Sequence, residues 1–162
     1  MMLFMDIFIF AILMVACGAA GATGAVFQPG PWYQSLAKPA WTPPNWVFPV
    51  AWTTIYLCIS FAGARVAGMD GSGAAMAFWA MQAALSTLWT PVFFGLRRLK
   101  GALLVMGLLL IAVLGCTVSM FQLDTLAGIA FLPFMAWVTV AAALNASVAR
   151  LNPDVAPRDM SD

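Results

Sequence analysis

The sequence contains no histidine and no glutamate, and only 8% of its 162 residues are charged. The lack of histidine excludes histidine-ligated haem and histidine-based acid–base catalysis, and it argues against a zinc site. Cysteine is scarce too: Cys17, Cys58 and Cys116 lie inside apolar runs without metal-binding spacing. We interpret them as small apolar residues. The net charge is only +1, whereas nucleic-acid-binding proteins carry strongly basic patches, so we expect no nucleic-acid partner.

Apolar residues dominate the composition. Hydrophobic side chains make up 64% of the chain, and the charged fraction is far below the roughly 25% of a soluble domain. A helix needs about 20 apolar residues to cross a bilayer, and five segments approach or reach that length: 7–27, 46–64, 74–94, 102–121 and 126–148. Because they lack the alternation of barrel strands, we predict an all-α integral membrane bundle of five transmembrane helices.

We expect this bundle to form one domain at residues 1–151, followed by a polar tail at 152–162. The first segment is expected to be a retained helix rather than a signal peptide, because no basic residue precedes it. Its glycines and alanines would let a neighbouring helix or a ligand approach closely.

An aromatic stretch at residues 41–56 joins the first and second segments. Phe48, Trp52 and Tyr56 stand four residues apart, so they stack along one face of a helix. Thr42 is predicted to cap that helix, and Pro49 to kink it near its beginning. A rigid aromatic face of this kind needs a flat partner, which is either another helix or a ligand.

The loop before this helix, residues 28–45, is also aromatic and holds a single charge at Lys38. Two interpretations stay open. The loop folds over the end of the bundle as a lid, or its aromatic residues form a belt at the membrane interface.

Two later segments carry a mixed polar and aromatic face. In the third segment, Ser86 and Trp89 are three residues apart and therefore share one side of a helix. Pro91 follows and is predicted to kink the last turns. The fifth segment presents one face formed by Trp137, Ala141, Leu144 and Asn145.

The connections between segments predict a cap and an orientation. Asp124 or Thr125 is placed to cap the fifth helix. One side of the membrane would hold only Arg65, and the other would hold Lys38, Arg97, Arg98, Lys100, Arg150 and Arg158. The positive-inside rule then places the C-terminus in the cytoplasm and the N-terminus outside.

The aromatic motifs occur in a fixed order. They read Trp32-Tyr33, Lys38-Pro39-Ala40-Trp41-Thr42-Pro43-Pro44-Asn45-Trp46, Trp52-Thr53-Thr54-Ile55-Tyr56, Trp89-Thr90-Pro91-Val92-Phe93-Phe94-Gly95, and Ala136-Trp137 with Leu144-Asn145. On these motifs the chain from about Gly18 to Arg150 resembles the translocator protein family, also called tryptophan-rich sensory proteins or peripheral benzodiazepine receptors (TspO/MBR). Phe48-Pro49 and the connection at 121–125 are similar to its bacterial branch.

The resemblance implies a five-helix membrane bundle, commonly a homodimer, with a ligand pocket between the helices under the first loop. It implies a receptor or sensory protein for porphyrins (protoporphyrin IX and haem) and related hydrophobic small molecules, linked to tetrapyrrole regulation or a stress response. Porphyrin is implied as a ligand, and no cofactor is required. Carried over by motif, the ligand-binding residues are Ala22, Tyr33, Phe48, Trp52, Ser86, Trp89, Trp137, Ala141 and Leu144.

Two other functions stay open. The resemblance also implies light-dependent breakdown of porphyrin, for which Trp52 and Trp137 are the candidate residues, although the sequence supplies no acid, base or metal. The other is passive transport of a porphyrin or sterol-like ligand. Ion-coupled transport is not expected, because the segments contain almost no charged residues. Many relatives have Asn where this chain has Ser86. The animal sterol motif lacks its tyrosine here, so we do not expect tight cholesterol binding.

Overall fold

The computed structural model describes residues 2–158, with side chains described from residue 7 onward. Within this part of the chain all regular structure is helical, which confirms the prediction of an all-α protein. The helices are α1 (Met2–Val26), α2 (Pro31–Ser35), α3 (Val47–Val66), α4 (Gly73–Thr90), α5 (Leu99–Leu123) and α6 (Thr125–Leu151). A π-helical segment, Pro91–Gly95, continues α4. Residues 159–162 of the predicted polar tail lie outside the described residues.

Four of the helices described within residues 2–158 are long and apolar enough to cross a membrane. They are α1 over Ile7–Val26, α3, α5 and α6. Helix α4 has 18 residues but is less apolar, because it carries Gln82, Ser86, Thr87 and Thr90 among small residues. The prediction of five crossing helices is therefore confirmed for four by these criteria, and for α4 it stays a prediction.

The five long helices close into a ring. Helix α1 packs against α3, α3 against α6, α6 against α5, α5 against α4, and α4 back against α1. Fully buried side chains such as Ile55, Phe131 and Phe134 form the core inside the ring. Trp79 is also buried there, and its indole N–H donates to the carbonyl of Ile59 at 2.9 Å, which satisfies its polar atom.

Two prolines act in different ways from those predicted for a simple kink. Pro91 has no N–H and its ring clashes with the preceding turn, and the ladder widens there: Leu96 N–H donates to Pro91 O at 2.8 Å, five residues back. Pro49 lies in the first turn of α3, where the N–H groups have no partner inside the helix. Pro49 therefore removes no hydrogen bond within α3, and the kink predicted there stays a prediction.

Of the two predicted helix caps, one is present and the other is not. Asp124 caps α6, accepting from Ala127 N–H at 2.7 Å, as predicted. Thr42 does not cap α3, because that helix begins at Val47 and the Thr42 hydroxyl donates to Pro39 O at 2.7 Å instead. Asp124 also accepts two bonds from Arg65 of α3, at 2.6 and 3.0 Å. This contact ties α3 to the α5–α6 connection.

The opposite end of the bundle carries the segment between α1 and α3, residues 28–46, which we call the lid. Leu36 of the lid is buried in a cluster with Phe93, Leu99 and Leu144. Asn152, just after α6, pairs with the backbone of Ala37 through both atoms of its amide, at 3.0 and 2.9 Å. The lid is thus fastened to the C-terminal end of α6.

Candidate functional site

A cavity of about 480 Å³ lies inside the ring of helices, under the lid. Its walls are mostly apolar, and nine of its lining side chains are aromatic: Phe27, Tyr33, Phe48, Trp52, Tyr56, Trp89, Phe93, Phe94 and Trp137. Small-molecule sites span about 300–1,000 Å³ and are usually apolar with a few polar groups. The cavity therefore has the size and chemistry of a site for a flat hydrophobic ligand.

The structure brings together all but one of the residues that the resemblance implies for ligand binding. The lining includes Tyr33, Phe48, Trp52, Ser86, Trp89, Trp137, Ala141 and Leu144. They come from the lid, α3, α4 and α6, so the cavity depends on the whole bundle.

Ala22 is the exception. It is exposed on α1 and does not line the cavity. Ala20, Gly21 and Gly24 line it instead. At about 100° per residue, Ala20, Gly21 and Gly24 fall within one arc of the helix, and Ala22 lies about 100° beyond Gly21, outside that arc. A Cβ on Gly21 would lie 3.2 Å from Cε2 of Tyr56, which shows how closely α1 approaches this wall.

The α3 and α6 wall is built from interlocked rings. Phe48 meets Trp137 edge to face, with ring centroids 5.4 Å apart, and Trp52 meets Phe134 in the same way at 6.0 Å. Trp52 also lies 5.5 Å from Tyr56 at a shallow angle of 37°. The predicted aromatic face of α3 therefore exists and packs against a helix, while its inner edge faces the cavity.

The α4 wall is held by a buried hydrogen bond. Trp89 stacks on Phe93 with centroids 5.0 Å apart, and its indole N–H donates to Oδ1 of Asn145 on α6 at 3.0 Å. Asn145 is 2% exposed and lines the cavity. Sequence reasoning placed Asn145 on the right face of the fifth segment but did not include it in the site. A polar residue inside an apolar helix is the signal that could have done so.

The sequence left open whether this segment covers the bundle or forms an aromatic belt, and the structure has features of both. Tyr33 lines the cavity and meets Phe93 and Phe94 edge to face at 6.2 and 5.4 Å. Burial raises the pKa of its phenol above the ordinary value. By contrast, Trp41 and Trp46 are 50% and 67% exposed, as an aromatic belt at a membrane interface would be. One part of the segment covers the cavity and another faces outward.

Few polar atoms face this space. Ser86 lines the cavity, and its Oγ is buried without a hydrogen-bond partner within the part of the chain whose side chains are described. The same holds for Nε2 of Gln82, one turn earlier on α4. Within residues 7–158 no three acidic, cysteine or histidine side chains come together as metal ligands would. The cavity therefore offers a ligand aromatic surface and shape with few polar partners.

Sequence comparisons bear on the same residues. The model of the TspO/MBR family matches residues 10–151, which span the ring and the lid. The chain belongs to the TspO/MBR family. The chain is 52% identical to Protein CrtK of Rhodobacter capsulatus over 157 residues, or 94% of this chain and 98% of that protein. It is 49% identical to the tryptophan-rich sensory protein of Cereibacter sphaeroides over 148 residues, covering 91% and 94% of the two chains.

A more distant relative is the human translocator protein, which is 32% identical over 127 residues and covers 75% of each chain. Together with four helices long and apolar enough to cross a membrane in the described part of the chain, TspO/MBR membership identifies an integral membrane protein. All eight cavity-lining residues predicted from the sequence fall within the stretch that the TspO/MBR model matches.

Proposed function

We propose that the protein is a membrane receptor or sensory protein that binds porphyrins in the cavity under the lid, with protoporphyrin IX and haem as the test ligands. Related hydrophobic molecules would share the cavity, and ligand binding would serve tetrapyrrole regulation or a stress response. The observation that carries the proposal is the 480 Å³ cavity with nine aromatic side chains in its walls.

Flat aromatic ligands suit these walls because offset and edge-to-face ring contacts each add about 0.5–1.5 kcal/mol beyond the burial of area. Trp52, Trp89 and Trp137 each present a ring to the cavity, so a macrocycle lying between α3, α4 and α6 would contact several rings at once. Ser86 lines the cavity and its buried Oγ has no hydrogen-bond partner within residues 7–158, so a polar atom of the ligand would supply the missing partner.

This function needs no cofactor, and the iron of haem would add little to the affinity of the porphyrin. The sequence has no histidine, and the described residues contain no cluster of metal-binding side chains. Metal-free protoporphyrin IX should therefore bind at least as tightly as haem. Haem binding that is ten times tighter, with a shifted Soret band typical of axial ligation, would contradict this.

The test is a titration of tryptophan fluorescence with protoporphyrin IX, carried out in the dark on detergent-purified protein. Trp52→Phe should weaken saturable quenching, because Trp52 lines the cavity. Trp46→Phe is the matched control, since Trp46 is 67% exposed and lies outside the lining. Linear quenching without saturation would mean that the porphyrin partitions into micelles, and the proposal would fail.

We propose that the membrane domain crosses the bilayer five times, with α4 and its π-helical segment as the additional crossing. Gly73–Thr90 and Pro91–Gly95 run on without a break, and their 18 and 5 residues together reach the length of about 20 residues that a bilayer requires. The C-terminus would then lie with the basic residues Arg97, Arg98 and Lys100 in the cytoplasm and the N-terminus outside. Reporter fusions at each terminus test both statements: opposite sides of the membrane are expected, and the same side contradicts them.

We also propose a homodimer, which the family resemblance implies. Helix α4 exposes Ala77, Ala80 and Ala84 at spacings of three and four, and small residues of this kind allow close contact between membrane helices. Ala80→Leu should convert the dimer into a monomer when mass is measured in detergent. A wild-type protein that is monomeric in a bilayer would contradict the proposal.

A second candidate function is light-dependent breakdown of the bound porphyrin. One observation favours it: Trp52 and Trp137 both line the same cavity, so either indole would lie close to a bound ring. The test is illumination of the complex. A new absorbing product that forms only in light and is lost in Trp52→Phe and Trp137→Phe would support the activity. Identical bleaching by both variants would exclude it.

A further inference from the structure

A second, smaller cavity lies beside the first at the lid end of the bundle. It measures about 220 Å³ and shares two walls, Phe27 and Phe94, with the main cavity. Its chemistry is different, because Arg97 and Arg158 line it together with Trp32. Two guanidinium groups thus stand next to an otherwise apolar cavity, separated from it by the same pair of phenylalanine rings.

The two arginines are held by different parts of the fold. Arg97 lies two residues after the π-helical segment and has a positive φ of 55°, a conformation usually taken by glycine. Its guanidinium carbon lies 5.4 Å from the ring centroid of Trp32, a cation–π contact. Arg158 is brought in by the chain after α6, and its backbone N–H donates to Leu96 O at 3.0 Å.

Neither guanidinium has an acidic partner within residues 7–158. The salt bridge described there joins Arg65 to Asp124 at the far end of the bundle. Within residues 7–158, Arg97 and Arg158 therefore bring positive charge to one place with no carboxylate in salt-bridge contact with either group. Trp32 packs its ring against the guanidinium of Arg97, whereas Arg158 is exposed. A charge-assisted hydrogen bond from either group is stronger than a neutral one.

We propose that this arginine cavity binds a carboxylate of the ligand whose flat body occupies the main cavity. The inference rests on the proposed function, since a free porphyrin acid combines an aromatic macrocycle with carboxylate side arms. The planar fork of arginine matches a carboxylate, and the shared walls allow one molecule to contact both cavities. The site thus selects porphyrin acids over neutral hydrophobic molecules of the same shape.

Gly95 controls the boundary between the two cavities. A Cβ on Gly95 would lie 2.9 Å from Cε1 of Phe27, too close for an unshifted ring. Gly95→Ala therefore displaces the ring that both cavities share. The variant should change the affinity for a carboxylate ligand more than the affinity for its neutral ester, because only the acid needs both cavities.

The test compares protoporphyrin IX with its neutral dimethyl ester, titrated into the full-length protein in an uncharged detergent. Arg97→Gly and Arg158→Gln should each weaken binding of the acid by about three- to tenfold and leave the ester unchanged. Arg97→Gly retains the fold because glycine accepts the positive φ without strain. Arg98→Gln is the control, because Arg98 is exposed and does not line the cavity.

Three outcomes would overturn the inference while leaving porphyrin binding intact. In the first, no arginine variant distinguishes the acid from the ester. In the second, Arg98→Gln weakens binding of the acid as much as Arg97→Gly, which indicates a diffuse positive field. The third is an anionic phospholipid that co-purifies with wild type and is lost from the arginine variants, while the affinity for the acid does not change. By contrast, no saturable binding of acid or ester to wild type would refute the proposed function itself.

Discussion

The indole N–H of Trp89 on α4 donates to the side-chain oxygen of Asn145 on α6 at 3.0 Å, across the wall of the main cavity. Asn145 also turns its amide nitrogen toward the carbonyl of Leu99 on α5, at 3.4 Å. One buried amide therefore connects three helices and fixes the ring that a ligand would contact. Trp89 is held in position before any ligand arrives, which lowers the ordering cost of binding.

The first prediction concerns this bond. Asn145→Leu removes the acceptor and leaves the Trp89 N–H unpaired, which should lower the free energy of unfolding by about 1–3 kcal/mol. In a Trp89→Phe background the same change should have a much smaller effect, because no N–H remains to be stranded. Thermal unfolding of the two single variants and the double variant measures the coupling. Additive losses would show that the bond carries no stability.

The second prediction concerns the width of the cavity. Ala141 lines it, one helical turn from Trp137, so Ala141→Val places extra methyl groups where a flat ligand would lie. Binding of protoporphyrin IX should weaken about tenfold or more. Ala143→Val on the exposed side of the same helix is the matched control. Equal affinities in both variants would place the ligand elsewhere.

The third prediction concerns the close packing of α1, α3 and α4. A Cβ on Gly63 would lie 2.5 Å from Leu13 Cδ1 and 3.2 Å from Nε1 of Trp79. Leu13 can rotate, but Trp79 is held by its bond to Ile59, so Gly63→Ala should destabilise the bundle by about 1–3 kcal/mol. Gly18→Ala meets no atom within 4 Å and should leave the unfolding temperature unchanged or raise it. A stable Gly63→Ala would contradict this packing.

The fourth prediction is a dependence of stability on pH. Bonds from Arg65 and the backbone of Ala127 lower the pKa of Asp124 to about 2, against an ordinary value of about 3.9. Because the folded pKa is depressed, the stabilisation is fully present above about pH 4 and is lost as the pH falls toward 2. Asp124→Asn keeps a capping oxygen but loses the charge. The gap in unfolding temperature between wild type and Asp124→Asn should close over this range, and a gap independent of pH would contradict it.

The control for the pH experiment is Asp70→Asn. Asp70 lies in the turn before α4, and within residues 7–158 the salt bridge described involves Asp124 rather than Asp70. The variant should follow wild type throughout the titration. If Asp70→Asn lost as much stability as Asp124→Asn, the effect would come from the change in net charge and not from the Asp124 contacts.

Sequence was sufficient for the parts of this fold that local hydrophobicity determines. The predicted second segment, 46–64, corresponds to Val47–Val66, and the predicted fourth, 102–121, corresponds to Leu99–Leu123. A long apolar run has one stable conformation in a bilayer, so its position follows from composition. The polarity of α4 weakens the same signal, so the predicted third segment, 74–94, is not among the four helices that meet the criteria of length and hydropathy.

The rotation of each helix was harder to predict, and the error at Ala22 shows why. Residues 18–25 are almost all small, so no contrast in size or polarity marks which side of α1 faces the cavity. The partnership of Trp89 with Asn145 joins residues 56 positions apart, and no local pattern contains it. The same limit applies to the lid, where Tyr33 turns inward and Trp46 outward although both are aromatic.

The fifth prediction concerns the fastening of the lid. Asn152 bonds the N–H and the carbonyl of Ala37 at 3.0 and 2.9 Å, so Asn152→Ala removes both of these hydrogen bonds between the lid and the C-terminal end of α6. These bonds are exposed, and their loss should cost about 1 kcal/mol, or about fivefold in lid opening. Association and dissociation of protoporphyrin IX should both accelerate with little change in Kd, and the Ala37 amide should exchange hydrogen faster. Gln34→Ala, an exposed lid change whose side chain is not involved in these bonds, should alter neither rate. Unchanged kinetics in Asn152→Ala would mean that the ligand enters between the helices rather than under the lid.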